Sequence, residues 1–156
     1  MDVHSPEQRS FNMSKIRGKD TRPEMMVREW LWANGYRYRL HRRDLPGKPD
    51  IVLPKYRAVI FVHGCFWHRH GCQFTTIPES NREFWLAKFS KNISRDKRNI
   101  AALLEQSWRV MVIWECSLRR KNATLELVAK HLAEFLNSET HFAEIGTQGK
   151  KRTGEK

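Results

Sequence analysis

The segment from residue 62 to residue 72, VHGCFWHRHGC, constrains this chain more than any other stretch of its sequence. It holds Cys65 and Cys72 together with three histidines, and the only further cysteine of the chain is Cys116. An odd number of cysteines does not suit a disulfide framework. Thiolates and imidazoles are instead the ligands that Zn²⁺ prefers, and a structural zinc site takes four of them. The segment therefore predicts a loop that is held by a metal ion.

The best candidate ligands for this zinc ion are Cys65, His70, Cys72 and Cys116. The spacing brings three of them into one loop, and Cys116 follows a predicted strand to which it would tie that loop. Four protein ligands leave no open position for water, so the predicted zinc is structural. Spacing alone also allows another histidine of the segment to replace His70. It equally allows Cys65 or Cys116 to be a small buried residue of the core.

Hydrophobic periodicity divides the chain into helices and strands. Thr21 and Glu24 form a predicted capping box at the start of the first helix, and Gly35 ends it. In chain order, the pattern predicts a helix at 21–35, strands at 36–40, 50–53 and 56–62, a helix at 81–106, a strand at 109–115 and a helix at 123–137. This order predicts an α/β fold with a mixed central sheet that is flanked by helices.

The chain of 156 residues fits a single domain. Residues 1–20 are expected to form a basic arm that contacts a partner, residues 21–146 the folded domain, and residues 147–156 a disordered basic tail. No apolar run is long enough to span a membrane, and the N-terminus lacks the apolar core of a signal peptide. A cytoplasmic protein is therefore expected.

The charge of the chain points to a polyanionic partner. Lysine and arginine number 29 against 17 acidic residues, which gives a formal net charge of +12. Such a surplus favours binding to nucleic acid through phosphate contacts and the release of counterions. An anionic membrane surface is less favoured, because no segment has the pattern of a basic amphipathic anchor.

A second group of polar residues indicates chemistry near the strand ends. Asp50 opens the second predicted strand and could bind Mg²⁺, which prefers oxygen ligands. Glu24 could add a contact near that ion, His68 could act as a general base, and Asp96 could orient its imidazole. Each carboxylate also has a plainer interpretation. Asp50 could be a turn residue, Glu24 only the capping-box partner, and Asp96 the acid of a surface ion pair.

Four strings of this sequence resemble the very short patch repair (Vsr) endonuclease family, and the likeness extends from about residue 10 to residue 118. They are RSFNMSKIRGKDT, LPGKPDIVLPKYRAVIFVHGCFWHRHGC, EFWLAKFSKNISRDKRN and WRVMVIWEC. The resemblance implies a restriction-endonuclease-like core and an enzyme that cuts one DNA strand beside a thymine mispaired with guanine. It further implies a monomer bound to mismatched double-stranded DNA at the nucleoid, working with the mismatch-repair proteins of its host.

The resemblance also implies roles for individual residues. The zinc ligands would be Cys65, His70, Cys72 and Cys116, and the magnesium ligands would be Asp50 and the backbone carbonyl of Val62. His63 and Glu24 would reach the water around the magnesium ion, while His68 would be the catalytic histidine and Asp96 its acidic companion. The aromatic residues that enter the duplex would be Phe66, Trp67 and Trp85. Met13 would enter from the minor groove, and Lys88 and Asn92 would lie near the base pairs.

The sequence departs from the family pattern at a few positions. Val62 stands where the family has a threonine, and Arg69 and Gly71 replace further histidines of the loop. The lysine of the usual restriction-enzyme signature is missing, and Phe61 begins the string that occupies its place. Two other functions are consistent with the charge and the cysteines. One is a noncatalytic, zinc-stabilised DNA-binding module, and the other is a restriction-type nuclease that cuts undamaged sites.

Overall fold

A computed structural model of the chain describes residues 20–72, 75–119 and 121–147, without the side chains of residues 121–124. In chain order, its elements are α1 (Arg22–Ala33), β1 (Arg39–Leu40), β2 (Ile51–Leu53), β3 (Ala58–His63), α2 (Cys65–His68), α3 (Arg82–Glu105), β4 (Arg109–Trp114), α4 (Lys121–Leu136) and β5 (Phe142–Ile145). Short 3-10 turns at Pro54–Tyr56 and Glu115–Leu118 follow β2 and β4. Among these helices, none has the length and apolarity that a membrane crossing needs. Residues 1–19 and 148–156, which hold most of the predicted arm and tail, lie outside the described residues.

The five strands pair side by side in the order of the sequence. β1, β2 and β3 are antiparallel neighbours, whereas β3, β4 and β5 are parallel. A parallel pair needs a crossover connection, and α3 and α4 supply these two connections. The mixed sheet with its flanking helices confirms the predicted α/β fold class.

The sheet separates two apolar layers, because successive residues of a strand face opposite sides. On one face, Ile60 and Met111 pack with Leu31 of α1 and with the apolar side of α4. On the other face, Val59 packs with Leu103 of α3. Full burial of such a side chain contributes roughly 1.5–3 kcal/mol. These layers hold the carboxyl ends of β3 and β4 next to each other. The 62–72 segment starts at the end of β3, and Cys116 follows the end of β4.

The start of α1 agrees with only half of the predicted capping box. The Glu24 N–H donates to the Thr21 side-chain oxygen at 3.4 Å, as an N-cap requires. The Glu24 side chain, however, turns into the protein, where it is 1% exposed. Its Oε2 atom lies 3.0 Å from the His41 Nε2 atom and 3.4 Å from the Arg28 Nη1 atom. The Glu24 carboxylate therefore pairs with His41 and Arg28 instead of completing the capping box at the helix end.

Three elements differ from the sequence-based expectation. The first strand is limited to Arg39–Leu40, because Tyr36 packs against the rings of Trp30 and Tyr56 instead of joining the sheet edge. The short helix α2 was not predicted, and neither was β5, a four-residue strand in which Ile145 alone is buried. β5 forms because β4 offers it a parallel partner, which is information that lies elsewhere in the chain.

Candidate active site and metal centre

A cavity of about 530 Å³ lies where β2 and β3 meet α2 and α3. Five residues that the sequence marked for chemistry or for metal binding line it together: Asp50, Val62, His63, His68 and Asp96. They come from three separate stretches of the chain, and the pairing of β2 with β3 brings the first two stretches together. The cavity is therefore the candidate active site.

Basic side chains also line this cavity, and the loop between β1 and β2 supplies two of them. They are Arg43 and Lys48 from the loop and Arg95 from α3. Gly47 lies in the left-handed region at φ +75°, and a Cβ atom there would meet the Asn99 Cβ atom at 3.0 Å. Only glycine therefore lets the loop pack this closely against α3. The resulting cluster of positive charge favours an anionic ligand.

Asp50 is held by the backbone of β3. The Val62 N–H donates to its Oδ2 atom at 2.7 Å. The N–H and C=O of one strand residue point to the same side, so the Val62 carbonyl also faces the side of Asp50. Burial raises the pKa of Asp50 to about 7, and the charge of Glu24 adds to this rise, while the Val62 N–H and Arg28 oppose it. A carboxylate and a carbonyl in this setting are suitable ligands for a hard divalent cation.

His68 and Asp96 form a hydrogen-bonded pair across α2 and α3. The His68 Nδ1 atom lies 2.6 Å from the Asp96 Oδ2 atom. Burial opposes the ionisation of Asp96, but the hydrogen bond from His68 and the nearby positive charges outweigh it and lower its pKa. A carboxylate at Nδ1 favours the tautomer whose Nε2 atom can take up a proton. The pair therefore has the geometry of a general base with its orienting acid.

His63 lies directly against His68. Their rings are parallel within 5°, and their centroids are 3.8 Å apart. Burial lowers the pKa of His63 to about 3, and the positive charge of His68 adds to the effect. His63 is therefore neutral near pH 7 and can act as a hydrogen-bonding or ligating group, not as a cation.

Two further groups of ligand atoms lie within 4.8 Å of one another, in addition to the cysteine-containing group described below. One is His63, His68 and Asp96, and the other is Asp20, Glu24 and His41. The first suits a transition metal better than magnesium, because two of its three donors are imidazoles. In the second, Arg28 already pairs with Asp20 at 2.8 Å and with Glu24 at 3.4 Å, so a guanidinium provides the positive charge.

The four candidate zinc ligands converge at the carboxyl ends of β3 and β4. The ligand atoms of Cys65, His70, Cys72 and Cys116 all lie within 4.8 Å of one another, and the cysteines are buried and free of disulfides. The His70 Nδ1 atom faces the sulfurs, 3.4 Å from Cys116 and 3.8 Å from Cys65. Burial raises the pKa of the Cys65 thiol and lowers that of His70. Three sulfurs and one imidazole in a buried cluster fit tetrahedral zinc.

This geometry separates the histidines that spacing alone could not distinguish. His70 lies with the sulfurs, whereas His63 and His68 line the cavity with Asp50 and Asp96. The 62–72 segment therefore contributes to two sites. The short helix α2 begins at Cys65, which belongs to the quartet, and ends at His68, which lines the cavity.

The aromatic residues of α2 pack against those of α3. The Trp67 ring lies 5.0 Å from that of Phe66 and 5.8 Å from that of Trp85, and Phe66 also contacts Phe89. All but the buried Phe89 are half-buried. They form an aromatic cluster (Phe66, Trp67, Trp85 and Phe89) beside the cavity.

The predicted DNA-contacting residues around this cluster have different environments. The Lys88 ammonium lies 6.0 Å from the centre of the Trp67 ring. Asn92 is buried and donates from Nδ2 to the Trp67 carbonyl at 3.0 Å, so it ties α2 to α3. Met13 lies outside the described residues.

Arg69 had no role predicted from the sequence, yet its side chain contacts both the loop and α3. Its guanidinium donates to the Phe66 carbonyl at 3.2 Å and to the Thr76 carbonyl at 2.8 Å, and it lies 3.9 Å from the centre of the Phe89 ring. Glu115 was also missed, and its Oε1 atom accepts the Cys65 N–H at 3.2 Å. The only sequence signal for Arg69 was its place among the loop histidines.

Comparison with known proteins identifies the family of the chain. A family model described as DNA mismatch endonuclease Vsr matches residues 1–74. The DNA mismatch endonuclease Vsr of Escherichia coli is 44% identical over 149 residues, which are 95% of this chain and 96% of that protein. The type II nicking enzyme V.XorIIP of Xanthomonas oryzae is 54% identical over 75% of this chain and 86% of its own length. The type II nicking enzyme V.NmeAIP of Neisseria meningitidis is 48% identical over 86% of this chain and 96% of its own length. The chain therefore belongs to the Vsr family of DNA mismatch endonucleases.

Proposed function

We propose that the chain nicks the thymine-containing strand of DNA beside a T:G mispair, the product of 5-methylcytosine deamination, and so starts very short patch repair. The observation that carries this proposal is the convergence of Asp50, His68 and Asp96 on one cavity that is also lined by basic side chains. The E. coli relative is named a mismatch endonuclease, and the other two are named nicking enzymes. Because this chain spans 96% of the E. coli protein, the whole of that activity is a reasonable proposal.

The metal expected at this site is Mg²⁺. Asp50 and the Val62 carbonyl would hold it, with His63 and Glu24 near its water shell. Mg²⁺ prefers oxygen ligands, and a cation beside Asp50 would favour the ionised carboxylate that burial otherwise disfavours. The group of His63, His68 and Asp96 fits Mg²⁺ less well, because two of its donors are imidazoles. When bound, the ion would neutralise charge on the phosphate and help to activate water.

The residues of the chain would then carry the proton and hold the strand. His68 would take a proton from the attacking water at Nε2, while the Asp96 carboxylate keeps the imidazole oriented and stabilises its charged form. Arg43, Lys48 and Arg95 would attract the phosphates of the strand into the cavity. The water oxygen would bond to phosphorus as the bond from phosphorus to the 3′-oxygen breaks, and the 3′-oxygen would take a proton from solvent, so the proposed products carry a 5′-phosphate and a 3′-hydroxyl.

The aromatic side chains would supply the preference for a mispair. Insertion of Phe66, Trp67 and Trp85 into the duplex costs a few kcal/mol of unstacking per step, and stacking of rings on bases offsets this cost. A mispair is cheaper to open than a paired step, so the deformation itself discriminates. Met13 of the basic arm would enter from the minor groove, and Lys88 and Asn92 would lie near the opened base pairs.

Zinc would have a structural role in this scheme. The quartet of Cys65, His70, Cys72 and Cys116 would fix the loop that carries both His68 and the aromatic cluster. Four protein ligands leave no place for water, so the zinc would take no part in the cleavage. The enzyme would act as a monomer and would hand its nicked product to the mismatch-repair proteins of the host.

The test compares two labelled duplexes that differ only in a T:G or a T:A pair at one position, each with and without added Mg²⁺. The proposal expects a nick in the thymine strand only with T:G and Mg²⁺. Equal cutting of both duplexes would instead indicate a restriction-type nuclease. Binding without cutting, over many flanking sequences, would indicate a noncatalytic module.

A further inference from the structure

The strand β5 leads the chain back to the cysteine–histidine quartet. β5 pairs with β4 in parallel, with Ile145 opposite Ile113. The two residues that follow it, Gly146 and Thr147, then contact the quartet itself. This end of the chain had no assigned function, and it lies beyond the residues that the family model matches.

Gly146 packs against the ring of His70. A Cβ atom at this position would lie 2.5 Å from the His70 Cε1 atom, 2.7 Å from its Nε2 atom and 3.0 Å from the Trp114 Cδ1 atom. The His70 ring also stacks on Trp114, with centroids 4.4 Å apart and planes within 16°, so Gly146 lies at the edge that the two rings share. Since the Nδ1 atom of His70 faces the sulfurs, any side chain at residue 146 would have to displace a metal-binding ring.

Trp114 is itself fixed from β5. Its indole N–H donates to the Glu144 Oε2 atom at 3.3 Å. The β5 strand and the residue after it therefore make two contacts with this pair of rings, through Glu144 on the Trp114 indole and through Gly146 at the shared edge of both rings. A ligand that is held in this way loses little conformational freedom when it binds a metal, which strengthens binding.

Thr147 contacts a second member of the quartet. Its backbone N–H donates to the Cys116 sulfur at 3.2 Å. Three thiolates and a neutral imidazole around Zn²⁺ carry a net charge of −1, and an N–H donor stabilises such a negatively charged sulfur. The contact therefore restrains the Cys116 sulfur beside the His70 ring.

We propose that Gly146 and Thr147 are part of the zinc centre, where they act as positioning residues for His70 and Cys116. This inference rests on the zinc site of the proposed function and is independent of the DNA cleavage. It means that the zinc joins three distant parts of the chain: the 65–72 loop, the end of β4 and the exit from β5. It also means that the centre is complete only after β5 has paired with β4.

The first test is Gly146→Ala, with Gly35→Ala as the control. Gly35 has a φ of +85° and no atom within 4 Å of an added Cβ, so its replacement strains the backbone far from the quartet. Zinc stoichiometry and the rate of zinc loss to a chromogenic chelator are measured on the purified, folded proteins. Gly146→Ala should release zinc about 10-fold faster or more, which is the usual scale for such supporting residues, and Gly35→Ala should match the wild type.

The second test isolates the hydrogen bond and also applies where Gly146→Ala does not fold. Thr147→Pro removes the N–H, whereas Thr147→Ala keeps it. Each variant is loaded with Co²⁺, whose thiolate charge-transfer bands report the sulfur environment. Only Thr147→Pro should shift these bands and weaken metal retention. Wild-type retention and spectra in both Gly146→Ala and Thr147→Pro, or a wild-type chain that binds no zinc, would overturn the inference. Loss of nicking with normal metal retention would count only against the proposed function.

Discussion

The His68 Nδ1 atom lies 2.6 Å from the Asp96 Oδ2 atom, which joins the loop of the candidate zinc ligands to the long helix α3. This contact makes the placement of the candidate base depend on two elements that are far apart in sequence. The neutral ring of His63 packs flat against one face of the His68 imidazole and restricts its orientation further. The orientation of His68 is therefore fixed before any substrate arrives, and this kind of preorganisation supports proton transfer.

Replacement of His68 tests its role as the general base. His68→Ala should lower the single-turnover nicking rate on T:G duplex by 10²- to 10⁴-fold, which is the usual contribution of a positioned acid or base. Binding of the duplex, measured by fluorescence anisotropy, should change little. His131→Ala, at an exposed position of α4, provides the matched control. A nicking rate within a few-fold of wild type in His68→Ala would exclude the assigned role.

Asp50→Asn tests the proposed magnesium ligand. The substitution keeps the size of the side chain and an oxygen that can accept the Val62 N–H, but it removes the charge that attracts the cation. Nicking should become undetectable at Mg²⁺ concentrations that saturate the wild type, while the affinity for T:G duplex is retained. Asp44→Asn is the control, because the Asp44 side chain is 63% exposed and forms its ion pair with Arg42 on the same loop.

The same substitution should stabilise the magnesium-free protein at alkaline pH. The pKa of Asp50 rises to about 7 on folding, first through burial and then through the charge of Glu24. A raised carboxyl pKa contributes stability below the unfolded value near 4, and this stability is lost as the pH rises through 7. Asp50→Asn should therefore gain on the order of 1–3 kcal/mol over the wild type at pH 8. Thermal melts of the two proteins in magnesium-free buffer should show this gain vanish at pH 4.

Cys116→Ser tests whether the quartet holds zinc. The variant should retain well under one zinc ion per chain, and its melting temperature should fall to that of the chelator-stripped wild type, because metal binding contributes to folding. Zinc that is added back should raise the melting temperature of the wild type alone. Full zinc occupancy in the variant, measured by elemental analysis, would remove Cys116 from the ligand set.

Trp67→Ala tests the proposed insertion of aromatic rings into DNA. Loss of a ring that stacks on a base costs about 1–3 kcal/mol, so the affinity for T:G duplex should fall about 5- to 150-fold. The preference for T:G over T:A should fall with it. Trp32→Ala is the control, since Trp32 is 57% exposed on α1 and stacks with Arg37 away from the cavity. Equal losses in the two variants would indicate a general effect of tryptophan removal.

The elements that could be predicted from the sequence are those whose own residues have a clear apolar pattern. β2, β3 and β4 are buried and apolar, and α3 lies within one residue of its predicted bounds. β5 was not predicted, because it is only four residues long, Ile145 is its one buried residue, and its pairing with β4 comes from elsewhere in the chain. Sequence analysis allowed Glu24 a contact near the metal ion, but it could not predict the partners His41 and Arg28, which tertiary structure brings to its carboxylate.

The site was predictable in its residue types but not in its geometry. Spacing indicated a metal quartet, yet it could not choose among His63, His68 and His70, because α2 decides which face of the segment each one occupies. The Arg69 contacts with Phe66 and Thr76 depend on a left-handed backbone at Arg69, and no local sequence pattern predicted this conformation. The role of Gly146 likewise depends on a ring that comes from 76 residues earlier in the chain.

A crystal structure of the protein on T:G duplex with Ca²⁺ in place of Mg²⁺ would locate the metal ion, the scissile phosphate and His68 in one experiment. We expect a cation about 2.3–2.6 Å from an Asp50 oxygen and in contact with the phosphate to be cut, with the His68 Nε2 atom facing the attack position. A scissile phosphate far from Asp50, or a cation held by His63, His68 and Asp96 instead, would contradict it.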